Sequence, residues 1–206
     1  MSKAYFYKCE ACGLRFPALS ELENCPACKK TLCLKATRAL ETDDYSSPAK
    51  KLFPPCVAVL DNIRSAWNVG SILRTGEAAG ISHFYLCGIT PTPAHPGVTK
   101  TALGAEKVVS WSHEPDAVKT LISLKERGFY LWSLETEGSA LWDPQMEPPD
   151  KALALIVGNE LCGVDPGVLD LCDLVLRLPM RGAKCSLNVA VAFGVLALWL
   201  SARRKD

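Results

Sequence analysis

The chain has 206 residues and a mass of 22.3 kDa, which suits one medium domain with a small appendage better than two full domains. Apolar residues make up 49% and charged residues 22%, which excludes a disordered or collagen-like chain. The formal net charge is only +1, so no global excess advertises a polyanionic partner. Basic charge is local. Residues 1–51 carry nine basic and six acidic groups, a net of +3, and residues 177–206 carry six and one, a net of +5. Any nucleic-acid contact is therefore expected near the two ends.

The first feature along the chain is a cysteine array, Cys9-x-x-Cys12 followed by Cys25-x-x-Cys28, in a chain with ten cysteines. The opening stretch has no apolar run of signal-peptide length, so a cytoplasmic setting is expected, and there metal binding explains the cysteines better than disulfides do. Two such pairs can each give two thiolates to a tetrahedral ion. Gly13 after the first pair and Pro26 inside the second suit tight turns. Residues 1–35 are too few for a useful core. They are expected to form a ribbon around structural zinc, whose apparent binding energy of about 10–16 kcal/mol can fold such a module. Iron in a rubredoxin-like site is the alternative, and Cys33 falls outside the pairing. Lys8, Arg15, Lys29 and Lys30 are interleaved with Tyr5, Tyr7 and Phe16. That mixture can hold phosphates and stack on bases, so Lys8 and Arg15 are candidate RNA contacts. The same residues would also serve as a tiny core with a soluble surface.

Residues 36–53 lack apolar periodicity, contain Ser46-Ser47-Pro48, and read as a linker. From 54 to 206 one further domain is expected. Its apolar runs, Cys56–Leu60, His83–Cys87, Tyr130–Leu134, Leu153–Val157 and Leu174–Leu178, alternate with helical patterns near 67–79, 116–127 and 186–203. Runs without a polar period point to an α/β domain with a mostly parallel sheet covered on both faces. The proline-bearing stretches 90–115 and 135–152 read as irregular. Leu187–Leu200 is the most apolar stretch, but it falls short of the roughly 20 residues that span a bilayer. It is expected to be a buried helix, with no membrane partner.

Neither G-x-G-x-x-G nor a P-loop is present. Three other blocks stand out. After the strand Cys56–Leu60 come Asn68, Gly70 and Arg74, in which Asn68 reads as a helix N-terminal residue and Gly70 and Arg74 share a helix face. After Leu153–Val157 comes Gly158-Asn159-Glu160-Leu161-Cys162-Gly163, a glycine-bounded turn of the kind that α/β proteins place beside ligands. After Leu174–Leu178 come Pro179-Met180 and then Ser186-Leu187-Asn188-Val189, with Ser186 and Asn188 at the start of the last helix. Singly, each has a plain structural reading: Arg74 a surface arginine, Glu160 a solvated turn residue, Ser186 a simple cap.

In this order the three blocks closely resemble the SpoU (TrmH) family of SPOUT RNA methyltransferases. The family pattern is Asn-x-Gly-x-x-x-Arg, then Gly-Asn-Glu-x-x-Gly, then Pro-Met followed by Ser-Leu-Asn-Val. Thr101 before Gly104-Ala105 looks like a fourth shared feature. The resemblance covers about residues 54–202 and leaves the cysteine array outside. It implies a parallel sheet whose C-terminal segment forms a deep trefoil knot, a topology that general rules argue against. It also implies a homodimer. S-adenosylmethionine would then be cupped by Gly158, Asn159, Glu160, Gly163, Leu178, Met180, Ser186 and Leu187, with apolar walls for the adenine and loop amides for its polar atoms.

The implied reaction is methyl transfer to a ribose 2′-hydroxyl of tRNA or rRNA. Arg74 matches the family's central arginine. A guanidinium with a pKa above about 12 is a poor base, so Arg74 is expected to clamp a phosphate and align the hydroxyl. Asn68, Glu160, Ser186 and Asn188 match the remaining polar positions. Arg181 and Lys184 are expected to meet RNA phosphates. One departure is Ser65-Ala66-Trp67, where relatives often carry Asp-Pro; Trp67 reads equally as a base-stacking and as a packing residue. The competing reading is a zinc-containing RNA- or protein-binding factor that keeps the fold without catalysis.

Overall fold

The computed structural model describes residues 3–40 and 50–204. The chain divides into two compact units, Met1–Ser47 and Pro48–Asp206.

In the first unit, strands β1 (Lys3–Lys8), β2 (Arg15–Ala18) and β3 (Cys33–Ala39) form an antiparallel sheet with β1 in the centre. Two turns of the same design carry the cysteines. Cys9 O accepts from Gly13 N at 2.8 Å, and Cys25 O accepts from Lys29 N at 2.9 Å. In each, the fourth residue after the first cysteine is left-handed, Gly13 at φ 77° and Lys29 at φ 62°. Tyr7 is buried, flanked by Tyr5 and Phe16, and its hydroxyl accepts from Leu22 N at 3.0 Å. This aromatic is therefore part of the small core.

The expected linker began at residue 36, but residues 36–39 are the second half of β3, paired with β1 from Phe6↔Ala36 to Lys3↔Ala39. Every residue of β3 is exposed, so no apolar alternation marks it as a strand. Residues 41–49 of the expected linker lie outside the described residues. Leu52 belongs to the second unit, where it packs on the core and donates its N–H to Gly80 O at 2.9 Å.

The second unit is a seven-stranded, wholly parallel sheet: β4 (Cys56–Asp61), β5 (His83–Cys87), β6 (Trp111–Glu114), β7 (Tyr130–Leu134), β8 (Ala140–Leu141), β9 (Leu153–Val157) and β10 (Leu174–Arg177). The spatial order is β6-β5-β4-β9-β7-β10-β8. Helices cover both faces: α1 (Ala66–Ala78), α2 (Pro96–Ala102), α3 (Ala117–Glu126), α4 (Pro166–Leu169) and α5 (Val189–Arg203). Alternate residues of one strand serve different layers. Cys56, Ala58 and Leu60 join the core with Val69, Ile72 and Leu73 of α1 and Phe193, Leu196 and Leu200 of α5. Val57 and Val59 join Leu121 and Leu124 of α3 and Val168 of α4. Both faces of β4 and β9 are buried, which is why these runs show no polar period.

The stretch 90–115 is more ordered than expected, since it holds α2 and β6. Pro96 starts α2, with His95 as its cap, so this proline initiates a helix rather than breaking one. Likewise Asp165 and Pro166 start the short α4. The last helix begins at Val189, not 186. Asn188 caps it, its Oδ1 accepting from Ala190 N at 2.9 Å.

Gly70 lets α1 and α2 touch backbone to backbone. A Cβ there would lie 2.1 Å from Thr101 Oγ1 and 2.2 Å from Val98 O. Gly70→Ala is expected to separate the two helices and cost about 1–3 kcal/mol, read as a lowered urea midpoint with an unchanged slope.

Candidate active site and metal centre

The strand order reverses about the central pair. From β4 the chain goes to β5 and β6 on one side, whereas β7, β10 and β8 lie on the other beyond β9. The crevice outside the carboxyl ends of strands at such a point is where open α/β sheets bind ligands. A cavity of about 380 Å³ opens there, floored by Leu134 and Val157 at the ends of β7 and β9 and walled by residues 178–189. Its volume lies within the range of small-molecule sites. All of Gly158, Asn159, Glu160, Gly163, Leu178, Met180, Ser186 and Leu187 line it.

Beside the cavity, one chain of side-chain hydrogen bonds joins the three sequence blocks. Glu160 accepts from Arg64 N at 2.8 Å, Ser65 N at 3.0 Å and Asn68 Nδ2 at 2.8 Å. Asn68 Oδ1 accepts from Asn188 Nδ2 at 3.0 Å. Asn188 Oδ1 in turn caps α5. Residues separated by as many as 120 positions thus fix the start of α1, the turn after β9 and the start of α5 relative to one another. Partial burial would raise the Glu160 pKa, but the Arg64 N–H, the Asn68 amide and the Ser65 N–H outweigh it and hold the carboxyl below its ordinary value. Glu160 is thus exposed in its turn yet shared as an acceptor by three donors. Asn68 is the third residue of α1 rather than its first: Ser65 is the cap, accepting from Asn68 N at 3.3 Å.

The turn after β9 is closed on itself. Asn159 Oδ1 accepts from Leu161 N and Cys162 N, Asn159 O accepts from Gly163 N, and Asn159 Nδ2 donates to Asn62 O at 2.7 Å. Gly163 is left-handed at φ 75°, and a Cβ on Gly158 would lie 2.4 Å from Val164 N. The N–H groups of Asn159, Leu161, Cys162 and Gly163 are thus committed inside the turn. The segment 178–187 differs: among the described residues, its backbone N–H groups enter no hydrogen bond. Ser186 lies in this segment, outside α5, and does not join the Glu160–Asn68–Asn188 chain.

Arg74 is exposed on α1 and forms no ion pair among the described residues. Arg181 and Lys184 are exposed in the 178–187 segment. In the other unit, Lys8 and Arg15 sit opposite each other on β1 and β2. Lys8 pairs with Glu10 at 3.1 Å, and Glu10 also pairs with Lys35 at 3.0 Å, so Lys8 is partly neutralised.

Glu135 was not singled out by the sequence reading. It lines the cavity, and its carboxylate accepts from Val164 N at 2.9 Å and from Thr136 N at 2.7 Å. Its signal was positional: it is the first residue beyond β7, at the carboxyl edge. Asp61 at the end of β4 is similar. It is buried and accepts from Asp165 N at 2.9 Å, holding the turn that leads into α4.

The SpoU rRNA Methylase family profile matches residues 55–198. The chain belongs to that family. A SpoU-family relative, the 23S rRNA (guanosine-2'-O-)-methyltransferase RlmB of Vibrio parahaemolyticus, is 30% identical over 162 residues, 79% of this chain and 65% of the relative. The chain thus spans less than two thirds of the length of the curated relatives it matches. Among solved SpoU structures, the A. aeolicus TrmH/SpoU tRNA modifying enzyme superposes with a TM-score of 0.66 at 26% identity, covering 75% of this chain and 78% of that one. The SpoU methyltransferase AviRb from Streptomyces viridochromogenes, in complex with AdoMet, has the same fold with a TM-score of 0.67 at 20% identity, covering 84% and 66%.

The cysteine array lies outside the SpoU match. The Sγ atoms of Cys9, Cys12, Cys25 and Cys28 all lie within 4.8 Å of one another, with Cys9–Cys28 at 3.4 Å and Cys12–Cys25 at 3.7 Å. Thiolates about 2.3 Å from a tetrahedral zinc have similar spacings, so the four can hold zinc.

Two outcomes follow from these geometries. Because the Glu160 pKa is lowered on folding, its contribution is full above the ordinary value of 4.5 and fades as pH falls through the lower folded value. The stability gap between wild type and Glu160→Gln is therefore expected to be constant at neutral pH and to close in acid, measured by urea unfolding across a pH series. Zinc should co-purify with the full chain, and Cys25→Ser should lose it. Chelation should then unfold the first unit while the thermal transition of the second persists, followed by metal analysis and calorimetry.

Proposed function

We propose that this protein is an S-adenosylmethionine-dependent methyltransferase acting on a ribose 2′-hydroxyl of tRNA or rRNA. The observation that carries the reading is the Glu160–Asn68–Asn188 chain, which ties the family's three motifs together at the rim of a ligand-sized cavity. The cavity's donor set suits the cofactor. Leu178, Met180 and Leu187 offer apolar wall, and the unpaired amides of 178–187 offer donors for polar ring and ribose atoms. When bound, S-adenosylmethionine supplies a methyl group on a good leaving group.

The protein's part is then mainly alignment, for which good positioning of two reactants is worth roughly 7–11 kcal/mol. Arg74 holds a phosphate next to the target ribose by charge-assisted hydrogen bonds. Asn68, Glu160 and Asn188 keep the start of α1, and with it Arg74, in register with the cavity; Ser186 adds a hydroxyl to its wall. A water or phosphate oxygen takes the hydroxyl proton. Arg181 and Lys184 add phosphate contacts, as does Arg15 in the N-terminal unit, with Lys8 contributing less because of Glu10.

The same reading extends to domains and assembly. The cysteine-bearing unit, whose last strand runs to Ala39, acts as a zinc ribbon, and residues 54–206 act as the methyltransferase domain with a C-terminal trefoil knot. The knot is supported by β10 lying between the earlier strands β7 and β8. It is supported too by Trp199 and Arg203 of α5, which donate to Pro144 O in the β8–β9 connection. The exposed Val191 and Leu198 of α5 favour a homodimer that covers them. No helix among the described residues is long and apolar enough to cross a membrane.

The test is transfer of labelled methyl from S-adenosylmethionine to total RNA of a strain lacking the gene, followed by nucleoside analysis. Label is expected in a 2′-O-methyl nucleoside. Arg74→Ala is expected to lower transfer by about 10²-fold or more while cofactor binding, read by calorimetry, is retained. Cofactor binding with no RNA label would sink the proposal.

A further inference from the structure

We infer that Trp67 is a base-stacking platform for the RNA, and that Lys100 is the partner that holds the adjoining phosphate. This rests on the proposed RNA reaction and adds a nucleobase-binding site that the shared motifs do not supply.

Trp67 sits in the first turn of α1, directly before Asn68, yet it is 56% exposed. Its indole face is thus open beside the polar site, where an amphipathic ring can stack on a ligand. Its backbone is held firmly. Trp67 O accepts from Ser71 Oγ at 2.9 Å within α1 and from Thr101 Oγ1 at 3.0 Å across to α2. The close α1–α2 contact at Gly70 brings α2 against this turn. As a result Lys100 Nζ stands 5.0 Å from the centre of the Trp67 ring.

Helical spacing puts Trp67, Ser71 and Arg74 on one face of α1, with Trp67 and Arg74 about 10 Å apart along the axis. Neither Arg74 nor Lys100 forms an ion pair with a carboxylate among the described residues. An exposed indole with one unneutralised cation against its ring and a second on the same helix face matches a single-stranded nucleic acid, which offers a π-face and a phosphate at each step. It does not match an acidic peptide, which has no ring to stack, and a membrane would need more apolar surface than one indole.

The test uses the full chain and fluorescently labelled short oligoadenylate and oligouridylate, with binding read by anisotropy and folding checked by circular dichroism. Wild type is expected to bind oligoadenylate more tightly, because purines stack better. Trp67→Leu should weaken that binding by about 5- to 150-fold, the range supplied by stacking one base, and should remove the preference. Trp67→Phe should keep most of both. Lys100→Gln should lower the slope of log affinity against log salt by about 0.7. In methyl transfer, Trp67→Leu should raise KM for RNA far more than it lowers kcat.

Equal binding by wild type and Trp67→Leu overturns the inference, as does an equal loss in Trp67→Phe and Trp67→Leu, which would mark a structural role. No affinity of wild type for either oligonucleotide overturns it too. So does a changed sedimentation coefficient of Trp67→Leu, which would assign the ring to contact with a second copy. Because binding is read without turnover, absent methyl transfer by wild type counts against the proposed function and not against this site.

Discussion

One carboxylate organises the second unit's working edge. Glu160 receives two backbone N–H groups and a side-chain amide at the start of α1. The start of a helix has unsatisfied donors and the positive end of its dipole. A negative charge held there is stabilised, and it stabilises the helix end in return. Because Glu160 lies on the turn leaving β9, the same contact fixes α1 against the sheet centre. Asn68 then passes the restraint to Asn188 and hence to the start of α5. The cavity wall, the exposed arginine on α1 and the last helix thereby share one reference point. A polar site open to solvent gains rigidity this way without a metal or a large apolar contact.

Much of this arrangement was legible in the sequence, for identifiable reasons. The five apolar runs were strands because both faces of a central parallel strand are buried, which erases polar alternation and leaves runs such as Leu153–Val157. The cavity-lining residues were legible because they fall in loops at the carboxyl ends of those strands. What escaped was of two kinds. The edge and exposed elements, β3, β6 and β8, carry no strong apolar signal, since their residues face water on at least one side. The short helices α2 and α4 open with a proline, a residue that reads equally as a loop. Glu135 and Asp61 escaped because a single acidic residue after a strand has many uses. Only the tertiary contacts with Val164 N and Asp165 N distinguish these two.

The first unit solves a different problem. With a handful of buried residues it has little apolar surface to hide, so two copies of one turn supply its order. Both copies place a left-handed residue after the cysteine pair and return an N–H to the first cysteine's carbonyl. In the first copy glycine takes that conformation freely. In the second, Lys29 takes it against the preference of a side-chain-bearing residue, so the two turns keep one backbone shape on different residues.

The position of β10 bears on how the chain is made. A polypeptide emerges from the ribosome in order, and the segments made first begin to fold first. Here β7 and β8 precede β10 in the chain but do not pair with each other; each pairs with β10. Among the described residues β8 pairs with no other strand, so one flank of the sheet stays open until β10, residues 174–177, is available. The central pair β4–β9 can assemble during translation. The far edge, with one wall of the cavity, is completed last, so the growing chain holds the centre of its sheet before it holds its site.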